Sequence, residues 1–278
     1  MPGVGCDMIR LLSVAHLSAI TLPPADLVHS AAKAGFSGVG LRLLRVTDDS
    51  PGYPLQDDRT AMRATQAALR ETGLSVRDIE FVRITPEVVP AQLNALLDAG
   101  AELGARHLIC APYDDDLSRL TAHLDEIAEL SAARGIRPVL EFFPWTPVPD
   151  LATCWKVVQA AAPEVGLLVD CLHFDRSDPD LDLLREIPEH RLPFAHVCDA
   201  VRSVTYTTDE LLHTARAERL PPGEGELDLH EFLDALPPGL PLSVEAPMTA
   251  LTQAEGPDTV LRCIHDATRK LLDGLPSA

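Results

Sequence analysis

The 278-residue chain has no apolar run approaching the roughly 18 residues of a membrane span. No charged segment followed by an apolar core opens it, so no secretory leader is read at its start. It has no basic run, and its 23 basic residues against 42 acidic leave a net charge of −19. Such a surface repels phosphate backbones and argues against a nucleic-acid partner. None of its six cysteines forms a CxxC pair, so neither a zinc ribbon nor a dithiol motif is spelled out. Cys110, Cys171 and Cys198 lie in or beside apolar runs, as reduced core thiols do. No Gly- or Ser-rich linker breaks the composition. Together these absences predict one domain over residues 1–278, with a loose leader at 1–8, in a cytoplasmic protein that touches no membrane.

What the chain does contain is an alternation. Short apolar runs begin near Leu11, Gly38, Val76, Arg106, Ile136, Val165, Pro193 and Leu240, and helical patterns separate them. Prolines and glycines mark the boundaries, as at Pro23–Pro24 and Gly35 or Pro86 and Gly104. Asp228 and Glu231 have the spacing of a capping box at the start of one helix. Thr47–Asp57 forms a polar loop, and residues 199–226 form a longer one with a helical candidate at Asp209–Arg219. Strict βα alternation implies a parallel sheet with right-handed crossovers. Eight repeats in this length point to an α/β fold of the closed (β/α)8 TIM-barrel type. A dinucleotide-binding sheet would need a Gly-rich turn after the first strand, and VAHLSAI supplies none.

Four consecutive predicted strands end alike. Ile136–Leu140 runs into Glu141, Val165–Val169 into Asp170, Pro193–Ala195 into His196, and Leu240–Val244 into Glu245. In a barrel the C-terminal strand ends form the active face. An acid at one strand end is ordinarily a first solvated residue; four donors on neighbouring strands can converge on one ion. Carboxylate and imidazole donors suit Mn²⁺, Mg²⁺ or Co²⁺, and accept Zn²⁺. Arg42 and Glu80 end or occupy other predicted strands. Arg42 could reach the pocket, and Glu80 reads as one half of an ion pair. His107 reads as a hydrogen-bonded core histidine, and Asp199 as a partner for His196 or for substrate.

The motifs LEFFP (140–144), VDCLHF (169–174), HVCDA (196–200), PPGEGELD (221–228) and SVEAP (243–247) occur in this order. With them the chain resembles the sugar-phosphate isomerase/epimerase superfamily, the xylose-isomerase-like barrels. Ketose 3-epimerases, hydroxypyruvate isomerase, inosose dehydratase, dehydroshikimate dehydratase and endonuclease IV belong to that group. The resemblance implies one divalent ion on Glu141, Asp170, His196 and Glu245. It implies a substrate contact at His173, three residues after Asp170, and at Arg202, six after His196. The activity it implies is isomerisation or epimerisation of a sugar, sugar phosphate or polyol ketone through an enediolate, with Glu141 and Glu245 as the acid/base pair. Dehydration of a cyclic polyol ketone or dehydroshikimate-like acid is the alternative. Endonuclease IV-like members carry additional histidines that His16, His107 and His123 do not reproduce. Many relatives self-associate, which leaves a homo-oligomer open here.

Overall fold

In the computed structural model, which describes residues 10–46 and 50–274, eight parallel strands close a barrel in sequence order. They are β1 (Leu12–Val14), β2 (Gly38–Arg42), β3 (Ser75–Ile84), β4 (His107–Pro112), β5 (Arg137–Glu141), β6 (Gly166–Asp170), β7 (Ala195–Val197) and β8 (Leu242–Val244). β8 pairs back onto β1 with Ser243 opposite Ser13. The leader expected at 1–8 and part of the loop expected from Thr47 lie outside the described residues.

The surrounding helices are α1 (Pro24–Ala34), α2 (Arg59–Thr72), α3 (Asn94–Glu102), α4 (Leu117–Ala132), α5 (Leu151–Ala160), α6 (Cys171–Asp175), α7 (Leu181–Glu186), α8 (Thr208–Arg216), α9 (Leu229–Ala235), α10 (Thr249–Glu255) and α11 (Pro257–Asp273). None of those described is long and apolar enough to cross a membrane. Their starts follow local chemistry. Asp58, Asp116, Asp150 and Asp180 each accept backbone N–H groups at the head of a helix, satisfying donors that the helix leaves free.

Local departures from the sequence reading have physical causes. Pro86 does not start a helix: a 3₁₀ turn at Pro90–Leu93 leads into α3 instead. The capping box expected at Asp228 does not form, because its carboxylate pairs with Arg202 Nη1 at 2.8 Å. The box belongs to Thr207 and Glu210, at the head of α8. The five-residue α6 follows β6 directly, and a single turn carries no readable periodicity.

Side chains alternate along a strand, so residues two apart share a face. Val139, Leu168 and Phe194 precede Glu141, Asp170 and His196 by two residues. With Ile109 they form a buried apolar cluster of their own, against which Phe81 packs. This plug supports the strand ends from beneath. The outer faces of the strands and the inner faces of the helices form the larger core. All described cysteines are free thiols, with Cys171 Sγ and Cys198 Sγ 3.8 Å apart.

Two histidines are built into the scaffold as neutral rings. His16 Nδ1 accepts the Arg42 N–H at 2.9 Å, so its proton sits on Nε2 and faces the Leu22 carbonyl at 2.9 Å. Its ring stacks on Tyr53, 5.1 Å between centroids. His107 meets the Arg77 carbonyl through Nδ1 at 3.1 Å and packs on Phe194. Burial pushes both from the ordinary 6.5 down to about 4. The unfolded chain therefore binds more protons than the fold between those values, and stability falls as pH drops through that window. We expect stability to fall from pH 6.5 towards 4 by up to about 3 kcal/mol per histidine, and the melting temperature to fall with it. Thermal melts of His107→Asn, which keeps a donor toward Arg77, should show a shallower fall. A wild-type profile that the substitution leaves unchanged would contradict this assignment.

Candidate metal centre and active-site cavity

At the C-terminal end of the barrel, Glu141, Asp170, His196 and Glu245 come together, with one ligand atom from each inside a 4.8 Å group. His196 Nδ1 lies 3.6 Å from Glu141 Oε1, 3.8 Å from Asp170 Oδ2 and 3.7 Å from Glu245 Oε2. All four side chains are buried. Adjacent strands in register place them: Asp170 stands opposite His196, and His196 opposite Ser243, two residues before Glu245.

The electrostatics follow from packing acids out of water. Burial pushes the Glu141 carboxyl up to about 7, partly offset by His196. Burial likewise raises Glu245, against the pull of His196 and Arg219. Asp170 goes the other way. Burial opposes its ionisation, but Arg219, His173 and His196 hold it well below the carboxylate range. His196 is raised to about 10: burial disfavours its charge, and Glu245, Glu141 and Asp170 outweigh that.

Arg219 was not singled out in the sequence and is the largest surprise of the site. Its guanidinium is 2% exposed or less and donates to Asp170 Oδ2 at 2.6 Å and Glu245 Oε2 at 2.9 Å. The long segment after β7 puts it there. α8 runs out and the chain returns, bridging Asp199 to Leu220 and Glu218 to Met248 across the ends of β7 and β8. The Arg219 N–H donates to the Pro247 carbonyl, which fixes the backbone beside Glu245. The available signal was its position two residues before Pro221, where the PPGEG motif starts.

That motif is braced rather than open. Asp199 accepts N–H groups from Ala200, Gly223 and Leu227 at 2.8–3.0 Å. At Gly225 a Cβ would fall 2.3 Å from Asp199 Oδ1, so the close approach requires glycine. Asp199 thus organises this loop and makes no contact with His196 in the hydrogen-bond network.

The other expected residues divide. His173 lines the cavity, its ring edge-on to Phe143 (4.8 Å) and Trp145 (5.2 Å), with Nε2 4.0 Å from Asp170. Burial lowers it to about 3, so it is a neutral ring. Arg42 also lines the cavity, paired with Glu80 at 2.8 Å. Arg42 outweighs burial and holds Glu80 below the usual carboxylate range. Both Glu80 and its neighbour Phe81 face the cavity, because the β3–β4 register slips between Ile79 and Val82. Arg202 is not brought to the cluster. It lies in the loop after β7, held by Asp175 and Asp228, and borders a separate surface pocket.

The cavity above the cluster is open to solvent, and about 850 Å³ of space, open solvent included, lies between its walls. Its polar lining is Glu80, Glu141, Glu245, Arg42, Arg219 and His173. Leu17, Ile20, Phe81, Phe143 and Trp145 supply apolar surface among them, and the exposed Arg216 also borders it.

The residues fit a divalent cation. The donor set is three carboxylates and an imidazole. Glu141 Oε1 and both nitrogens of His196 are buried without a hydrogen-bond partner. Around the cavity four buried carboxylates (Glu80, Glu141, Asp170, Glu245) outnumber two guanidiniums (Arg42, Arg219), an excess of acid that a dication would offset. Removing Arg219 would leave Asp170 and Glu245 buried without their cation. The metal-free Arg219→Met protein should lose about 3–5 kcal/mol of stability. Its thermal gain on adding Mn²⁺ should exceed that of wild type. An unchanged melting temperature, with an unchanged response to metal, would contradict this balance of charge.

No curated protein matches this sequence. Among solved structures, the IolI protein with a bound zinc atom aligns at TM-score 0.80 and 16% identity, over 97% of this chain and all of that one. A fusion of a xylose isomerase-like TIM barrel with a 4-hydroxyphenylpyruvate dioxygenase aligns at 0.75 and 21% identity, over 97% of this chain and 46% of that one. D-allulose 3-epimerase from Methylomonas sp. in complex with D-allulose aligns at 0.68 and 16% identity, over 94% and 97% of the two chains. At these identities the likeness is one of fold. The family model for xylose isomerase-like TIM barrels matches residues 28–264, and the chain belongs to that family.

Proposed function

We propose that this protein is a metal-dependent isomerase or epimerase that moves a proton at a carbon next to a carbonyl in a sugar or polyol ketone. The observation that carries the reading is the convergence of Glu141, Asp170, His196 and Glu245 beneath a cavity large enough for such a substrate. In this reading they bind one divalent cation, Mn²⁺, Mg²⁺ or Co²⁺, with Zn²⁺ also compatible. When bound, the ion supplies Lewis acidity toward the carbonyl and the neighbouring hydroxyl oxygen.

The protein's own groups do the rest. Glu141 and Glu245 stand at the two ends of the ligand arc, at the end of β5 and directly after β8. Glu141 also lines the cavity, and in this reading its carboxylate takes the carbon-bound proton. Glu245 Oε2 is held by Arg219, which orients it to return a proton. Return from the opposite face inverts the carbon, and return at the adjacent carbon moves the carbonyl. Arg219, between Asp170 and Glu245, faces the cavity and offsets charge that develops on the enediolate oxygens. His173, neutral and fixed between Phe143 and Trp145, offers a ring nitrogen to a substrate hydroxyl. Arg42, whose Nε has no partner, serves the far end of the substrate. The Phe81–Phe143–Trp145 wall excludes water from the reacting carbon. Arg202 has no part in this scheme.

A second reading, loss of water from a cyclic polyol ketone, draws on that same wall. Aromatic side chains satisfy few hydroxyls and suit a ring with one apolar face. One assay serves both readings. Metal-loaded protein in D₂O, with a panel of ketoses and cyclic polyol ketones, should introduce one deuterium at the carbon next to the carbonyl. Glu141→Gln and Glu245→Gln should each reduce the rate by about 10²-fold or more. An absorbing enone product would move the answer to the dehydratase. Metal-loaded protein that exchanges no substrate proton and yields no enone, or variants as fast as wild type, would refute the acid/base pair.

A further inference from the structure

Beneath the metal ligands, the barrel interior carries a polar feature that the scheme above does not use. Asp78 of β3 is fully buried, and neither carboxylate oxygen has a hydrogen-bond partner. A buried carboxylate without partners is costly and calls for a physical reason. Nearby, Ser243 Oγ and His196 Nε2 are also buried and unpartnered.

The strand register places these residues on the interior face of the barrel. His196 pairs with Ser243, and Ser243 with Ser13, on three neighbouring strands. Ser13 pairs in turn with Gly38, and Gly40, two residues on and on the same face of β2, pairs with Asp78. Gly40 has no side chain where one would collide: a Cβ there would sit 2.5 Å from Asp78 Oδ1. The β8–β1–β2–β3 half of the interior is therefore lined by serine, glycine and one carboxylate. The β4–β7 half is filled by Ile109, Val139, Leu168 and Phe194. Burial pushes the Asp78 carboxyl up to about 7, with Glu80 and Glu245 pushing the same way and His196 pulling against them.

His196 turns Nδ1 toward Glu141, Asp170 and Glu245. Its other nitrogen, Nε2, carries the proton once Nδ1 ligates a metal, and that N–H needs an acceptor. Among the described residues, no backbone carbonyl or side chain accepts from it directly. We propose that Asp78 is a positioning residue for His196, accepting the Nε2–H through a buried water shared with Ser243 Oγ. The four polar atoms supply the two to four partners that a buried water requires. Asp78 fixes the tautomer and the ring plane of His196, and so raises metal affinity without touching the ion. The inference rests on the metal-binding reading above.

The test is Mn²⁺ titration calorimetry on wild type, Asp78→Ala, Asp78→Asn and Gly40→Ala. It is joined by melting of the metal-free proteins and by NMR of ¹⁵N-histidine-labelled, Zn²⁺-loaded protein. We expect Asp78→Ala to weaken Mn²⁺ binding about 10- to 100-fold. Asp78→Asn keeps an accepting oxygen and should fall between. Gly40→Ala leaves the carboxylate intact but displaces it, and should weaken binding as well. Melting of the metal-free proteins checks that each variant folds as wild type does, so that a change in Mn²⁺ affinity is read on a folded protein. In the NMR spectra, wild type should show a slowly exchanging His196 Nε2–H that Asp78→Ala loses. Wild type that binds no metal would overturn the functional reading together with this one. Wild type that binds metal, with all three variants binding equally well or an unaltered Nε2–H signal, would overturn the role of Asp78 alone.

Discussion

The constraint on which this structure turns is the confinement of like charges. Glu141, Asp170 and Glu245 are held away from water around one imidazole, and Glu80 lies along the same cavity. Carboxylates in that position cannot all remain ionised unless cations face them. Arg219 meets two of them, Arg42 meets a third, and His196 faces the three ligand acids. The remaining negative charge is what suits the site to a dication. The long segment after β7 is as much a part of this arrangement as the strands, since it carries Arg219 back across the barrel mouth.

The barrel makes the confinement sustainable. Strand alternation puts an apolar residue two positions below each ligand on β5, β6 and β7, and these pack into a plug under the site. The other half of the interior is built from Ser13, Gly40, Asp78 and Ser243, small or polar residues that leave room beside His196. One half of the interior thus holds the strands apart rigidly, and the other half accommodates polar groups. A core of uniform leucines would close the barrel equally well and leave His196 without any acceptor below it.

How much of this was legible in the sequence depended on whether the signal was local. Glu141, Asp170, His196 and Glu245 each terminate an apolar run, so their placement at neighbouring strand ends followed from the βα alternation alone. The barrel itself was legible for the same reason. Arg219 was not, because nothing in a polar loop tells which of several arginines folds inward. The family resemblance pointed to Arg202, which the loop instead carries to the surface between Asp175 and Asp228. Asp78 was unreadable because a lone acid inside a strand gives no hint of facing the barrel interior, and the register slips beside it in β2–β3 and β3–β4 depend on tertiary packing. The box at Asp228 failed through competition: an ion pair with Arg202 took the carboxylate that the helix N-terminus would have used.

The central claim is that the four strand-end residues hold one divalent cation. Its most direct test is an anomalous-difference map from crystals grown with Mn²⁺, collected at the manganese edge. The account predicts a single strong peak in contact with Glu141, Asp170, His196 Nδ1 and Glu245. A map without a peak there, or with the ion held elsewhere on the protein, would contradict it.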